Sequence, residues 1–543
     1  MEEIVKSQKG KMMLLGNEAV VRGALESGVQ FVSTYPGTPA SEIGNTFFRI
    51  AKEAGVYFEF SVNEKVALEA AAGASFSGLK TLVAMKNFGV NVASDFLLPL
   101  CYSGTKGEMV ILVADDPSCW SSAQSEENTR GFAYLAHIPI LEPSDPQECK
   151  DFTKLAFDIS KKFKLPIMVR ETTRVALQAA PVKLDRIVKG TAKGKFVKDY
   201  NKFSTMPPRV LEMKDELLEK IEEIRGISEK SKLNFIEGKL SGSNSGIITS
   251  GISYLYVKEA LQELGISLPI LKLGFFHPLP EKKIKSFIKN LKKVLVVEEL
   301  EPYLEREVER LAKTANPKLI VLGKDVVPVT GELKPEQIIS AIANLAGKKT
   351  KFNFASHLKK FKNLKPEKRF PQLCPGCPYW LSLSAIKRIA PKGTIFGGEI
   401  GCYMLAAYPP HNMQDYLFCM GSSVSIAHGI QKSTKQKVIA FVGDSSFFHA
   451  GIPAIINAVM NKSNPLIVIM DNRTTAMTGQ QPNPGAPAQG KGLNIEEIVR
   501  ALGVSHVKTL DPIDIGQFES TLKEFLKKEE VSVLIVQRPC IRI

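Results

Sequence analysis

The sequence predicts an α/β protein built from three parallel-sheet domains, and three observations predict it. Short apolar runs such as TLVAMK, MVILVAD, KVIAFVGD and PLIVIMDN lack the in–out alternation of half-exposed strands, as buried parallel strands do. Helical segments separate them, among them the Ala/Gly-rich NEKVALEAAAGASFSG. Two Lys-rich polar stretches interrupt the pattern, and 543 residues suit about three domains of roughly 100–200 residues each.

The elements follow in order. GNEAVVRGALESG reads as a helix, QFVSTYP as a buried strand and SEIGNTFFRIAKEAG as a second helix. VYFEFSV, TLVAMK, MVILVAD and LPIMVRE complete the strands of a first domain over residues 1–178. Residues 179–245 form a basic helical linker around MPPRVLEMKDELLEKIEEIRG, closing in SGSNSG. A second α/β domain, 246–347, has GIITSG, PILKLG, KVLVVEE and KLIVLG as strands. The stretch EKKIKSFIKNLKK within it reads as an amphipathic helix with a solvated basic face. A second basic linker, 348–370, leads to a third domain, 371–543, with strands TIFGGE, KVIAFVGD, PLIVIMDN and VSVLIVQ.

Composition narrows the function classes. With 44% apolar and 23% charged residues, the chain is neither disordered nor collagen-like nor a coiled coil. No run approaches the roughly 18 apolar residues of a membrane span. The start, MEEIVKSQKGKMMLLG, lacks the apolar core of a secretion signal, so a cytoplasmic protein is expected. The formal charge is +15, but the lysines are scattered, and no basic–aromatic interleaving supports nucleic-acid binding. A positive surface also suits an acidic partner or an anionic substrate. Five of the eight cysteines follow residue 370, which in a cytosolic chain favours metal ligation over disulfides.

The sharpest local motif is Gly443-Asp444-Ser445 after the strand KVIAFV, with Asn472 ending the next strand. A carboxylate and an amide oxygen at the carboxyl edge of a parallel sheet suit Mg²⁺ carrying a diphosphate. The spacing is like that of a thiamine-diphosphate motif, with Ser445 where a second glycine is usual. By itself, a Gly-Asp turn after a strand also arises without any ligand. Glu64 opens a helix after a short apolar strand; alone, it reads first as an acid complementing a helix dipole. Cys374-Pro-Gly-Cys377 has a metal-gripping spacing, and four thiolates suit zinc or an iron–sulfur cluster alike.

Taken together, TYPGTP, ILVADDPSCWSSAQSEENTR, CPGCPYW, GGEIGCYML, GDSSFFHAGIPAIINAV and DNRTTAMTG resemble the 2-oxoacid:ferredoxin oxidoreductases, closest to their indolepyruvate-type α subunits. The resemblance covers almost the whole chain. It implies a thiamine-diphosphate-binding fold of the transketolase and pyruvate:ferredoxin oxidoreductase kind. The first domain would bind the pyrimidine, the second would be transketolase C-terminal-like, and the third would bind the diphosphate. It implies oxidative decarboxylation of an arylpyruvate such as indolepyruvate to the acyl-CoA, with electrons leaving through a [4Fe-4S] cluster to ferredoxin.

Carried over residue by residue, the resemblance assigns Glu64 to the cofactor's aminopyrimidine and Thr38 to the neighbourhood of the thiazolium and the substrate carboxylate. Asp444, Asn472 and the backbone carbonyl of Thr474 would hold Mg²⁺, with Gly421, Gly443 and Ser445 around the diphosphate. Cys374, Cys377, Cys402 and Cys540 would hold the cluster, and Cys101, Cys119, Cys149 and Cys419 would be incidental thiols. Lys86, Asn87 and Arg130 are candidates for anion contacts, against surface charge or capping; His137 and His449 are candidate proton handlers, against structural roles. The expected partners are a γ-type (β) subunit, ferredoxin or a separate ferredoxin-like subunit, coenzyme A and the 2-oxoacid, in a hetero-oligomer built on an α dimer. Such α subunits usually continue into a ferredoxin-like domain with C-x₂-C-x₂-C-x₃-C repeats, and no such pattern follows Cys540 here. Either the sequence is shortened or the wiring lies on another polypeptide. A non-oxidative thiamine-dependent decarboxylase with a structural zinc is the alternative enzyme, and a basic nucleic-acid-binding protein the alternative from another class.

Overall fold

The computed structural model describes residues 3–348, 354–361, 364, 367, 369–434 and 436–543. The chain forms two compact units, Met1–Lys365 and Pro366–Ile543. The 348–370 linker of the sequence reading falls partly outside the described residues; within it, Phe354–Phe361 is helical.

The first unit carries two main sheets. Its seven-stranded sheet is centred on Thr81–Lys86 and Met109–Asp115, which pair in parallel, with Phe31–Thr34 and Tyr57–Phe60 to one side and Ile167–Thr172 to the other. Every residue of Met109–Asp115 is buried, as expected for a parallel strand covered on both faces. The far edge is closed by Phe275–His277, antiparallel to Ile140–Leu141, so a strand from the later half of the unit completes the earlier sheet. The second sheet has five strands, among them the parallel Ser245–Ser250, Ile270–Leu273, Lys293–Val297 and Ile320–Leu322. Phe235–Glu237 pairs antiparallel on its edge. Within 179–245, Ala179–Leu184 pairs with Gly10–Leu15, and Arg209–Lys230 is a long helix whose Met213, Leu217, Ile221 and Ile224 are buried.

One helix is shorter than its pattern predicts. The EKKIKSFIKNLKK segment is helical only over Glu281–Ile288, because Lys293 already begins the buried strand KVLVV. The apolar run after Lys293 outweighs the helical periodicity that includes it.

The second unit is one six-stranded, all-parallel sheet. Val438–Gly443, Leu466–Asp471 and Ser532–Gln537 run side by side through its middle, and all but Gln537 are buried. Two clusters of apolar side chains cover its two faces, one around Phe441, Val468 and Leu534, the other around Val442, Ile467 and Val533. Among the described residues, no helix is long and apolar enough to cross a membrane.

Candidate active site

In a parallel sheet the carboxyl ends of the strands share one edge, and ligands bind there. In the first unit that edge carries Thr38 after Phe31–Thr34, Glu64 after Tyr57–Phe60, Lys86 and Asn87 after Thr81–Lys86, and Asp116 after Met109–Asp115. Glu64 is the first residue of the helix Glu64–Phe76, capped by the Asn63 side chain, which accepts from the Val66 N–H. Only 6% of Glu64 is exposed. Its carboxyl rests against the first turn of the helix Asn87–Ser103. A Cβ on Gly89 would lie 2.6 Å from Glu64 Cγ, so only glycine admits the acid there.

Thr38 lies in the loop Tyr35–Ala40, where its carbonyl accepts from Ser121 Oγ at 3.0 Å. Its hydroxyl pairs with Ser41 Oγ at 3.3 Å. Thr38 and Glu64 thus stand on the same strand edge.

Arg130, a candidate anion contact, is committed elsewhere. It is buried, bidentate to Glu142 at 2.6 Å, and it donates to Glu298 at 2.5 Å and to Ser250 at 2.6 Å. Arg170 joins Glu142 and Asp115 to the same network. Burial alone would raise the Glu142 carboxyl, but the two guanidiniums hold it down at about 2. His137 sits at a positive φ of 53° in a turn.

The second unit presents a different edge. Gly443 pairs with Met470, so Asp444 and Asp471-Asn472 leave adjacent strand ends together. The Asp444 carboxylate accepts from the Ser445 N–H at 2.9 Å and from Asn483 Nδ2 at 2.9 Å. It is buried, and burial together with the neighbouring Asp471 carboxylate raises its affinity for a proton. Neither described partner of Asp444 is a cation, and the Asp471 carboxylate has only Arg473, at 3.5 Å, so a divalent ion would stabilise the two acids. Asn472 Oδ1 accepts from the Thr474 N–H at 3.2 Å, which gathers the two expected ligand residues into one turn. Ser445, in place of the usual glycine, bonds Thr475 Oγ1 at 2.7 Å and so ties the first loop to the second. His449 lies in the π-helical turn that follows.

Glu399 was not singled out by the sequence. It is fully buried and accepts from the backbone N–H groups of Gly421 and Gly443 and from the Tyr403 hydroxyl. Burial pushes its carboxyl up to about 7. Gly421 precedes the helix Ser422–Ser433 at φ 79°, and a Cβ there would stand 2.8 Å from Ala450. Glu399 thereby joins the two glycines assigned to the diphosphate. Its only signal was its place in GGEIGC; Asn483, in a Pro-rich loop, had none.

The four late cysteines are also brought to this edge. Cys377 N–H donates to Cys374 O at 3.0 Å in a tight turn, and Ile541 approaches that turn at Gly376. Cys540 N–H donates to Asn472 O at 3.0 Å, linking the chain's end to the Asp471-Asn472 strand end. Burial raises the Cys402 thiol to about 12, with further contributions from Cys377, Cys540 and Cys374. Among the described residues, no three His, Cys, Asp or Glu side chains close on a single metal ion. Cys101 and Cys149 are buried in the first unit; Cys119 lies in its 117–119 turn, and Cys419 is exposed in the second.

Comparison with known proteins identifies the family. Residues 22–215 match the family model described as pyruvate flavodoxin/ferredoxin oxidoreductase, thiamine diphosphate-binding. Residues 399–536 match the C-terminal binding domain of thiamine pyrophosphate enzymes. The chain is 45% identical to the indolepyruvate oxidoreductase subunit IorA of Methanothermobacter thermautotrophicus, over 99% of this chain and 88% of that one. It is 43% identical to the subunit of the same name from Pyrococcus horikoshii, over 98% and 86%. Among solved structures, a 2-oxoglutarate:ferredoxin oxidoreductase from Magnetococcus marinus shares the fold over 62% of this chain and 65% of that one, at a TM-score of 0.51 and 19% identity.

Proposed function

Because the chain belongs to the family of indolepyruvate oxidoreductase IorA subunits, within the thiamine-diphosphate-dependent 2-oxoacid:ferredoxin oxidoreductases, we propose that it oxidatively decarboxylates an arylpyruvate such as indolepyruvate. In the balanced reaction, the 2-oxoacid, coenzyme A and two oxidised ferredoxins give the acyl-CoA, CO₂, two reduced ferredoxins and a proton. The observation that carries the reading is the Gly443-Asp444 and Asp471-Asn472 strand ends, where the buried Asp444 carboxylate has only neutral donors as described partners.

When bound, thiamine diphosphate supplies an electron sink for the carbon that loses CO₂. The chain's residues have separate tasks. Glu64, nearly dry, would accept a hydrogen bond from the cofactor's aminopyrimidine, and Thr38 would contribute near the thiazolium. Asp444, Asn472 and the Thr474 carbonyl hold Mg²⁺. The Gly421 and Gly443 loops, drawn together by the N–H groups they donate to Glu399, would flank the diphosphate, with Ser445 beside them. Cys374, Cys377, Cys402 and Cys540 would hold a [4Fe-4S] cluster, which would supply one-electron redox chemistry. Residues 1–178, 246–347 and 371–543 are the pyrimidine, transketolase C-terminal-like and diphosphate domains. The partners are a γ-type subunit and ferredoxin or a ferredoxin-like subunit, on an α dimer in the cytoplasm.

Anaerobic purification followed by iron, sulfide and thiamine analysis, with a viologen-reduction assay, tests the reading. It expects four irons per chain and dye reduction that needs both coenzyme A and an arylpyruvate. Zinc in place of iron, with CO₂ released and no dye reduced, would establish the non-oxidative decarboxylase instead.

A further inference from the structure

We propose that Lys86, with the Asn87 amide beside it, is the cradle for the carboxylate of the 2-oxoacid substrate. The inference rests on the functional reading above and names the side chains that anchor its substrate.

The placement comes from the strand–helix junction. Lys86 is the last residue of Thr81–Lys86, and the 17-residue helix Asn87–Ser103 starts at the next position. Its methylenes lie along the backbone before Thr38, since a Cβ on Gly37 would stand 3.0–3.2 Å from the Lys86 side-chain carbons. The same helix's first turn touches Glu64 through Gly89. Lys86 therefore stands between the two residues assigned to the reacting centre.

The partners of the ammonium are weak for a largely buried cation. Nζ donates to Ser122 Oγ at 2.7 Å and to Ser121 O at 3.3 Å, and it lies 4.8 Å over the Phe88 ring. Asp116, the nearest acid on the neighbouring strand end, is committed to four other donors: the Ser121 N–H and the hydroxyls of Ser121, Ser122 and Thr173. Beside Lys86, both amide atoms of the fully buried Asn87 lack a hydrogen-bond partner. A cation without a close carboxylate, next to an unused amide and a helix start, presents what a carboxylate ligand completes. Arg130, the rival cation, is saturated by Glu142, Glu298 and Ser250.

Burial lowers the Lys86 ammonium to about 8, against the opposing pull of Asp116, Cys119, Glu64 and Glu127. The charge needed to bind an anion is thus lost as pH rises through about 8.

The test is calorimetric titration of the full chain with phenylpyruvate, thiamine diphosphate and coenzyme A in turn, comparing the parent with Lys86→Met and Lys86→Arg. Lys86→Met should weaken phenylpyruvate binding by about 10–100-fold, the range for a lost charge-assisted hydrogen bond. Its affinities for the other two ligands should not change, and Lys86→Arg should restore most of the loss. In turnover the loss should fall on KM more than on kcat. The parent KM should rise above about pH 8, and the arginine variant should flatten that rise, because guanidinium stays charged. Undiminished phenylpyruvate binding in Lys86→Met overturns the assignment, as does loss of thiamine diphosphate or coenzyme A affinity instead. If the parent reduces no dye with any 2-oxoacid, the functional reading fails, while the phenylpyruvate titration still decides Lys86.

Discussion

The two strand-edge sites differ in how they handle buried charge. In the first unit the charges are balanced from within: Arg130 and Arg170 neutralise Glu142, Asp115 and Glu298. In the second unit Asp444 and Glu399 sit in the same burial with neutral donors as their partners, and Asp471 has one long ion pair, to Arg473 at 3.5 Å. An edge that closes its own charge ledger is built for shape; one that leaves acids without a cation is built to receive one. The lesson is that the first unit's chemistry rests on a few side chains at its strand edge, Lys86 above all. The second unit's rests on a cluster that is incomplete without its ligands.

The comparison breaks most readily at Glu64. Glu64→Gln should leave the fold and cofactor affinity largely intact, because Glu64 stands outside the Arg130 network. Its kcat should fall by about 10²–10⁴, the range for a positioned acid–base group. Turnover of an arylpyruvate near the parent rate would reduce Glu64 to a helix-start acid, and would remove the distinction drawn for the first unit. Asp444→Ala addresses the other edge. Removing one acid of the pair should weaken Mg²⁺-dependent cofactor binding by about a hundredfold or more, since second-sphere losses alone reach 10–100-fold. Calorimetry with and without Mg²⁺ reads it, and unchanged affinity would mean the acids have another purpose.

Cys540→Ser sharpens the comparison between thiols. Iron per chain should fall in this variant and in the corresponding changes at Cys374, Cys377 and Cys402, measured anaerobically. Cys149→Ser should keep its iron, because Cys149 is buried in the first unit and donates to Glu171.

Much of this was legible from residues close in sequence. Strand runs such as MVILVAD and LIVIMD, and the turns that follow them, identify themselves by burial-compatible composition. The 29-position step from Gly443 to Asn472 spans one helix between neighbouring strands, so topology brings its ends together. What the sequence hid depends on distant partners. Glu399 acts on Gly421 and Gly443, which lie 22 and 44 positions away. Arg130, equally charged on paper to Lys86, is spent on Glu298 168 positions on. The strand Phe275–His277 is too short to show a period, and it joins a sheet formed mainly by much earlier residues.

The smallest effect tests whether the first unit's network balances all of its acids. Glu171, at the end of Ile167–Thr172, is buried beside that network without an arginine of its own. Cys149 Sγ donates to its Oε2 at 3.4 Å, and its Oε1 has no hydrogen-bond partner. Burial pushes its carboxyl up to about 8. In an unfolded chain it would titrate near 4.3. A raised folded value means that the neutral acid stabilises the fold. That contribution is complete below about pH 4.3 and is lost as pH rises through about 8. Glu171→Gln mimics the neutral acid and keeps an acceptor for the Cys149 thiol. Its Tm should match the parent's near pH 4 and exceed it at higher pH, because only the parent loses stability as its unfolded chain ionises; its fall between pH 6 and pH 9 should be smaller by at least about 2–4 °C, the shift that roughly 1 kcal/mol makes in a domain of 150–250 residues. Glu299, raised to about 7 by the same kind of burial, should leave part of the slope in place until it too is changed to Gln. Parallel Tm–pH curves for parent and Glu171→Gln would show that this acid is balanced like its neighbours in the network.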